Sequence, residues 1–208
     1  MSKVIITGSK GLIGASLKDL LEYKGISIED YDILDDLNGS NDILDQERLF
    51  DRMKDCVGVV HLAAVSRVIW GQKDPEKCMR VNVTGTHNVV AAAQRAGVKW
   101  MIYASSREVY GAAETLPVSE DTPLIPVNVY GQSKLDAENL VISARQSGLN
   151  TAICRFSNVY GSTDDHPDRV IPAFTYAAAH GETIRVEGQD NIFDFNHVTD
   201  TANGIALA

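Results

Sequence analysis

A short β-branched run, Lys3–Thr7, leads directly into Gly8, Gly11 and Gly14 and then into an apolar pattern of helical period. Ile13, Leu17, Leu20 and Leu21 share one helix face, and Gly25 stops it. This order of strand, tight turn and helix constrains the fold more than any other feature. A strand that feeds a helix returns to its sheet as a parallel neighbour, and parallel sheets are covered on both faces. Glycine lets the turn pass close to another group. The helix behind it offers unpaired N–H groups and positive dipole, which suit a phosphate.

The rest of the chain repeats the alternation. Residues 26–32 predict a second strand, and Leu44, Leu49, Phe50 and Met53 another helix. A strong buried strand is predicted over 57–64. Pro75 and Gly97 bracket a long predicted helix. Residues 98–105 predict a strand, 130–146 a helix and 150–156 a strand. Together they predict an α/β fold, a doubly wound parallel sheet with helices on both faces. The pattern changes after Gly161. A helix over 169–180, a short strand over 183–187 and a return segment over 193–198 predict a smaller lobe. The expected domains are 1–160 and 161–208, the second a partial lobe because the pattern is still helical at Ala208.

Composition narrows the function classes. Apolar residues make up 44% and charged residues 23%, as in ordinary soluble domains. No apolar run approaches the ~20 residues of a membrane span. The apolar run at the start is too short for a signal peptide, so a cytoplasmic location is expected. A formal net charge of −9 without a basic cluster argues against nucleic acid as a partner. Cys56, Cys78 and Cys154 form no C-x-x-C pair, and the five histidines show no zinc spacing. Neither a disulfide framework nor a metal site is predicted.

The turn and helix start, Gly8, Lys10, Gly11, Leu12, Ile13 and Gly14, form the expected pyrophosphate cradle of a dinucleotide. Asp32 lies at the end of the second predicted strand. A carboxylate there accepts the ribose hydroxyls of NAD and repels the 2′-phosphate of NADP; the alternative is a solvated turn residue. Lys10 points the other way, as a cation for a 2′-phosphate. Asp30, Asp32, Asp35 and Asp36 make the region acidic, so NAD is the expected cofactor and NADP the alternative. Asp42 and Ile43 open a segment expected at the adenine edge.

Tyr130 and Lys134 stand four residues apart, on one face of a predicted helix. Ser106 ends a strand expected at the centre of the sheet, where open α/β sheets bind ligands. These types have a shared chemistry. Taking a hydride from an alcohol carbon also requires removing the hydroxyl proton. Moving a tyrosine from its reference pKa of about 10 to ~7 takes ~4 kcal/mol of phenolate stabilisation. A neighbouring ammonium and an oxidised nicotinamide each contribute to that. Ser106 would hold the substrate oxygen near Tyr130, and Lys134 would also bond the nicotinamide ribose.

An ordered set of motifs carries a resemblance. It comprises Gly8/Gly11/Gly14, Asp42-Ile43, His61-Leu62-Ala63-Ala64, Asn82-Val83-Thr84-Gly85-Thr86, residues 105–111, Tyr130/Lys134, residues 155–161 and residues 194–200. The set resembles the extended short-chain dehydrogenase/reductases of the NAD-dependent epimerase/dehydratase type. The resemblance implies a Rossmann domain with a smaller C-terminal substrate lobe, a tightly held NAD(P), sugar or nucleotide-sugar substrates and a homodimer. Leu62, Ala63, Ala64 and Asn82 are then expected at the cofactor, and Asn158 at the substrate. Family members continue past the equivalent of Ala208, so the chain is expected to bind cofactor but turn over slowly.

Two departures matter. Phe193 stands where the family often has an arginine that pairs with the substrate diphosphate, and Glu187 where an aromatic packs on the base. Arg169 is the candidate replacement cation; otherwise it is an exposed arginine at a helix start. Glu108 occupies the position of a family catalytic glutamate, but Arg107 replaces the aspartate that dehydratases commonly carry before it. Glu108 is thus either a base beside a transient ketone or a loop carboxylate near Arg107. The expected function is an NAD-dependent sugar or nucleotide-sugar epimerase/dehydratase working through a transient keto-sugar. The alternatives are net NAD(P)-dependent oxidation or reduction of a small alcohol, and a non-catalytic dinucleotide sensor or scaffold.

Overall fold

Strands β1 (Lys3–Thr7), β2 (Ser27–Tyr31), β3 (Cys56–His61), β4 (Trp100–Ser106) and β5 (Asn150–Phe156) pair in parallel in the order β2-β1-β3-β4-β5. This arrangement comes from a computed structural model that describes residues 3–35, 41–163 and 165–208. Helices α1 (Leu12–Tyr23), α2 (Gln46–Met53), α3 (Val68–Lys73), α4 (Pro75–Met79), α5 (Gly85–Ala96), α6 (Val129–Gln146), α7 (Val170–His180) and α8 (Val198–Leu207) complete the chain with a two-stranded parallel sheet of β6 (Asn158–Tyr160) and β7 (Phe195–His197).

The strand period of two divides the core. Val4 and Ile6 face α1 and α8, where they meet Leu17, Leu21, Ala202 and Ile205. Ile5 faces the other way, toward Leu49, Val89, Ala137 and Val141 of α2, α5 and α6. Burying side chains such as Ile5 and Ile6 contributes about 1.5–3 kcal/mol each. Strand order reverses between β1 and β3. A crevice opens there at the carboxyl ends of the strands, the usual ligand position in open α/β sheets. The fold is the expected Rossmann-type one.

Several elements differ from the sequence reading. The strand predicted over 57–64 ends at His61, because Leu62 N–H turns to the carbonyl of Thr7 (3.0 Å) and the chain leaves the sheet. The long helix over 75–97 is interrupted by a π-helical turn, Arg80–Thr84. Residues 183–187 form no strand; their backbone has no neighbouring strand to pair with, and they lie exposed. Helix α3 and strand β6 were not anticipated. Helix α8 lies within the expected second lobe, yet its Ala202 and Ile205 join the core beside Leu17, so part of 161–208 packs with the main sheet. No helix among the described residues is long and apolar enough to cross a membrane.

Candidate active site

The glycine turn sits at the reversal point. Gly8 has φ +75°, and a Cβ there would lie 2.7 Å from Ala63 N. A Cβ on Gly14 would lie 2.1 Å from the Gly8 carbonyl oxygen. Both positions therefore require glycine. Thr7 ties the turn to the loop after β3: its carbonyl accepts from Leu62 N and its hydroxyl from Ala63 N at 3.4 Å. Gly11 precedes the first turn of α1, which has no side-chain cap. Its leading N–H groups, from Leu12 onward, are thus left for a ligand. The buried Ser9 hydroxyl has no hydrogen-bond partner among the described residues. Bare glycines, an uncapped helix start and an orphaned hydroxyl fit a dinucleotide phosphate.

Asp32 is buried rather than solvated. Its carboxylate accepts from Lys10 N and Leu34 N, both at 2.9 Å, so it braces the glycine turn. Each oxygen retains acceptor capacity for a hydroxyl. Lys10, the cation of the NADP alternative, is already engaged: its ammonium donates to the Leu34 carbonyl at 2.8 Å and lies 3.3 Å from Asp35. Asp36 lies outside the described residues. At the expected adenine edge, the Asp42 carbonyl accepts from the Tyr31 hydroxyl at 2.9 Å. The Ile43 side chain turns into the core against Gly85, so only its backbone is left for the adenine edge.

Asn82 corrects another expectation. The π turn swings its side chain inward, where it is fully engaged. Its Oδ1 accepts from Val65 N at 2.8 Å, and its Nδ2 donates to Val65 O at 3.1 Å and Ser133 Oγ at 2.8 Å. Asn82 thus fastens the loop after β3 to α6, instead of offering a free amide to a cofactor. Single π turns often mark functional sites in this way.

Helix α6 carries Tyr130 and Lys134, the expected reacting pair. Asn128 caps it by accepting from Gly131 N at 2.8 Å. Tyr130 and Lys134 then project one turn apart, both buried. Ser106, at the end of β4, is buried with them; its Oγ accepts from Glu108 N at 3.2 Å, and it lies near enough to the Tyr130 hydroxyl to pull its pKa down. Lys134 Nζ donates to the Ala104 carbonyl at 2.8 Å and lies 5.9 Å from the centre of the Tyr130 ring. Burial pushes the Tyr130 hydroxyl up to about 12, against a smaller downward pull from Ser106. Burial also brings Lys134 down to about 8. The expected lowering of Tyr130 draws on Lys134 and on an oxidised nicotinamide together. Within the protein alone desolvation wins, and further positive charge is needed to form a phenolate.

The sequence assigns no role to two buried polar groups near this pair. Glu138, one turn beyond Lys134, is held by Ser105 and Arg155. His61 is fully buried between Thr7 and Thr86, at 2.6 and 3.0 Å, and burial lowers its pKa to about 3, leaving it neutral. His61 stands in the His61-Leu62-Ala63-Ala64 motif, which does not reveal its buried bonds, and Glu138 belongs to no motif.

Beyond Ser106 lies a cavity of about 250 Å³, whose walls include Arg107, Asn158, Arg169, Pro172 and Phe193. Two of the three expected substrate residues, Asn158 and Arg169, therefore meet in one place, beside Arg107, which follows the third, Ser106. Arg169 is not a free cation: it pairs with the buried Asp165 at 3.0 Å. The Arg107 guanidinium lies 5.2 Å from the Phe193 ring centre, so a cation accompanies the aromatic that replaces the family arginine. Arg107 also pairs with Glu108 at 3.1 Å, while Asn128 donates to the other Glu108 oxygen at 2.9 Å.

The model of the family described as NAD dependent epimerase/dehydratase matches residues 4–208. The chain belongs to that family. Within the epimerase/dehydratase family, it is 33% identical to the low-salt glycan biosynthesis protein Agl12 of Haloferax volcanii, over 95% of this chain and 69% of that protein. It is 36% identical to a dTDP-glucose 4,6-dehydratase of Streptomyces griseus, over 71% of this chain and 45% of the relative. The crystal structure of a UDP-glucose 4-epimerase from Brucella ovis in complex with NAD superposes with a TM-score of 0.90 at 30% identity, over 100% of this chain and 73% of that one. The chain thus spans between about half and three quarters of the length of these epimerase/dehydratase relatives.

Proposed function

We propose that the protein binds NAD across the glycine turn and transiently oxidises a nucleotide-linked hexose to a keto-sugar. The observation that supports this reading is the joint burial of Ser106, Tyr130 and Lys134, next to a cavity whose wall holds Arg107, Asn158 and Arg169. NAD, when bound, supplies a hydride acceptor and the positive charge that the Tyr130 pocket lacks. Ser106 holds the reacting hydroxyl, and Tyr130 takes its proton. Lys134, anchored on the Ala104 carbonyl, keeps an ammonium near the phenol. Asp32 favours NAD over NADP, since it already braces the turn with its charge in place.

Return of the hydride without loss of a hydroxyl is favoured over dehydration. Arg107 occupies the place of the dehydratase acid, and both Glu108 oxygens are held, by Arg107 and by Asn128. The substrate's diphosphate falls to Arg169 and Arg107 in place of the family arginine lost at Phe193. Calorimetry tests the assembly. NAD binds first, and UDP-glucose or dTDP-glucose binds the loaded protein with an affinity that drops on Arg169→Ala. Tight binding of either sugar nucleotide to the Arg169→Ala variant would contradict the placement.

A further inference from the structure

The segment that carries Asp165 and Arg169 is fastened from outside the cavity. Arg67, in the loop after β3, makes a two-pronged ion pair with Asp168, with both N···O distances 2.9 Å. The same guanidinium lies 5.2 Å from the Trp70 ring centre, and Trp70 meets the His166 ring edge-on at 4.7 Å. Two residues of one segment thus grip two of another, and Arg67 and Asp168 are far apart in sequence. Arg67 also holds the Asp168 carboxyl below the usual carboxylate range through that hydrogen bond.

The gripping loop is itself rigid. Val65, two residues before Arg67, is bonded through both its N–H and its carbonyl to the buried Asn82, which also reaches Ser133 on the helix of Tyr130. At its start, the loop packs Ala63 against Gly8 of the dinucleotide turn. One stretch of chain, 62–70, therefore touches the cofactor cradle at one end and the substrate wall at the other. Asp168 is more than half exposed, and ion pairs that exposed add little to global stability. The geometry is better accounted for by a local ordering role.

We propose that Arg67, Trp70, His166 and Asp168 form a clasp that holds the 165–169 segment, and with it Arg169, in the position that receives the substrate. The four are positioning residues: they touch neither reacting atoms nor cofactor. The inference rests on the reading of the cavity as a nucleotide-sugar site. The clasp fixes where the Arg169 charge stands, so losing it weakens the sugar nucleotide and leaves the dinucleotide unaffected.

The test compares wild type with Arg67→Ala, Asp168→Ala and the charge-swapped pair Arg67→Asp/Asp168→Arg. Calorimetry measures NAD, then UDP-glucose and dTDP-glucose on the NAD-loaded protein, and hydrogen exchange is followed over 165–175. Each single variant is expected to weaken the sugar nucleotide roughly three- to tenfold with NAD affinity unchanged. Exchange over 165–175 should accelerate while that over 4–15 does not, and the charge swap should restore both readouts. Unchanged exchange over 165–175 in Arg67→Ala, or equal losses of NAD and sugar-nucleotide affinity, overturns the clasp. A wild-type protein that binds NAD but neither sugar nucleotide overturns the proposed function instead, and the exchange data still decide the clasp.

Discussion

Glu138 of α6, with no exposed side-chain surface, accepts Arg155 Nη2 at 2.8 Å and Arg155 Nε at 3.0 Å. Ser105 of β4 donates to the same carboxylate at 2.5 Å. Three elements thereby meet one turn from Lys134. The pair fixes the height of α6 against β4 and β5, and so the approach of Tyr130 to Ser106.

Glu138→Ala removes the ion-pair partner of Arg155, which keeps its Nη1 bonds to the Tyr110 hydroxyl and the Glu120 carbonyl, and leaves Ser105 without its acceptor. The loss of these charge-assisted hydrogen bonds is expected to cost roughly 1.5–3 kcal/mol of stability. Urea denaturation measures it. A loss below about 1 kcal/mol would show that the site relaxes or hydrates without Glu138.

Lys134 predicts a pH dependence. Its pKa is about 8 in the folded protein and 10.5 when unperturbed. Below pH 8 both states hold the proton, and the cost of burying the charge is fully present. Between pH 8 and 10.5 the unfolded chain keeps a proton that the native state has released, so this group's contribution to stability rises with pH. The rise is about 3 kcal/mol over the whole window. Wild type should therefore gain on Lys134→Met in urea melts as pH is raised from 7 to 10. A difference that stays flat across that range contradicts the burial of a titrating ammonium.

Much of this was legible from one chain. Val4, Ile5 and Ile6 read as a strand because they are β-branched and contiguous, and Gly8 and Gly14 fixed the turn because close backbone approach admits no Cβ. Tyr130 and Lys134 were legible from helical spacing taken together with Ser106 at a strand end and the ordered motif set. What stayed hidden depends on tertiary neighbours. Asn82 looked like a ligand-facing amide until the π turn showed it facing Val65 and Ser133. Glu138 belongs to no motif and Arg155 only to the run 155–161, because pairing across β5 and α6 leaves no local pattern. The direction of the Tyr130 shift follows from burial, which no spacing encodes. Residues 183–187 have strand-like composition, but propensity without a pairing edge makes no strand.

Asp32 couples cofactor choice to turn geometry. Asp32→Ala removes acceptors from Lys10 N and Leu34 N as well as the charge that repels a 2′-phosphate. The variant should lose roughly tenfold or more in NAD affinity, the loss of one charge-assisted hydrogen bond, and narrow its preference over NADP. Calorimetry with both dinucleotides checks this. Wild type that binds NADP more tightly than NAD contradicts the assignment.

Glu108 separates the reaction types. Held by Arg107 and Asn128, it is not poised to abstract a proton beside a transient ketone. Turnover in deuterium oxide should place no solvent deuterium on the sugar carbons, and Glu108→Gln should retain activity within about tenfold. Deuterium on the carbon next to the oxidised centre, abolished in Glu108→Gln, would restore Glu108 as a base.

In the proposed reaction a hydride leaves the sugar and returns to it within one site built on Tyr130. The direct measurement uses UDP-glucose and dTDP-glucose deuterated at the oxidised carbon, incubated with the protein and NAD and analysed by mass spectrometry. The account predicts a product that keeps the deuterium, no net absorbance gain from reduced cofactor, and no product with Tyr130→Phe. Deuterium accumulating in free reduced cofactor, or conversion undiminished in Tyr130→Phe, would contradict it.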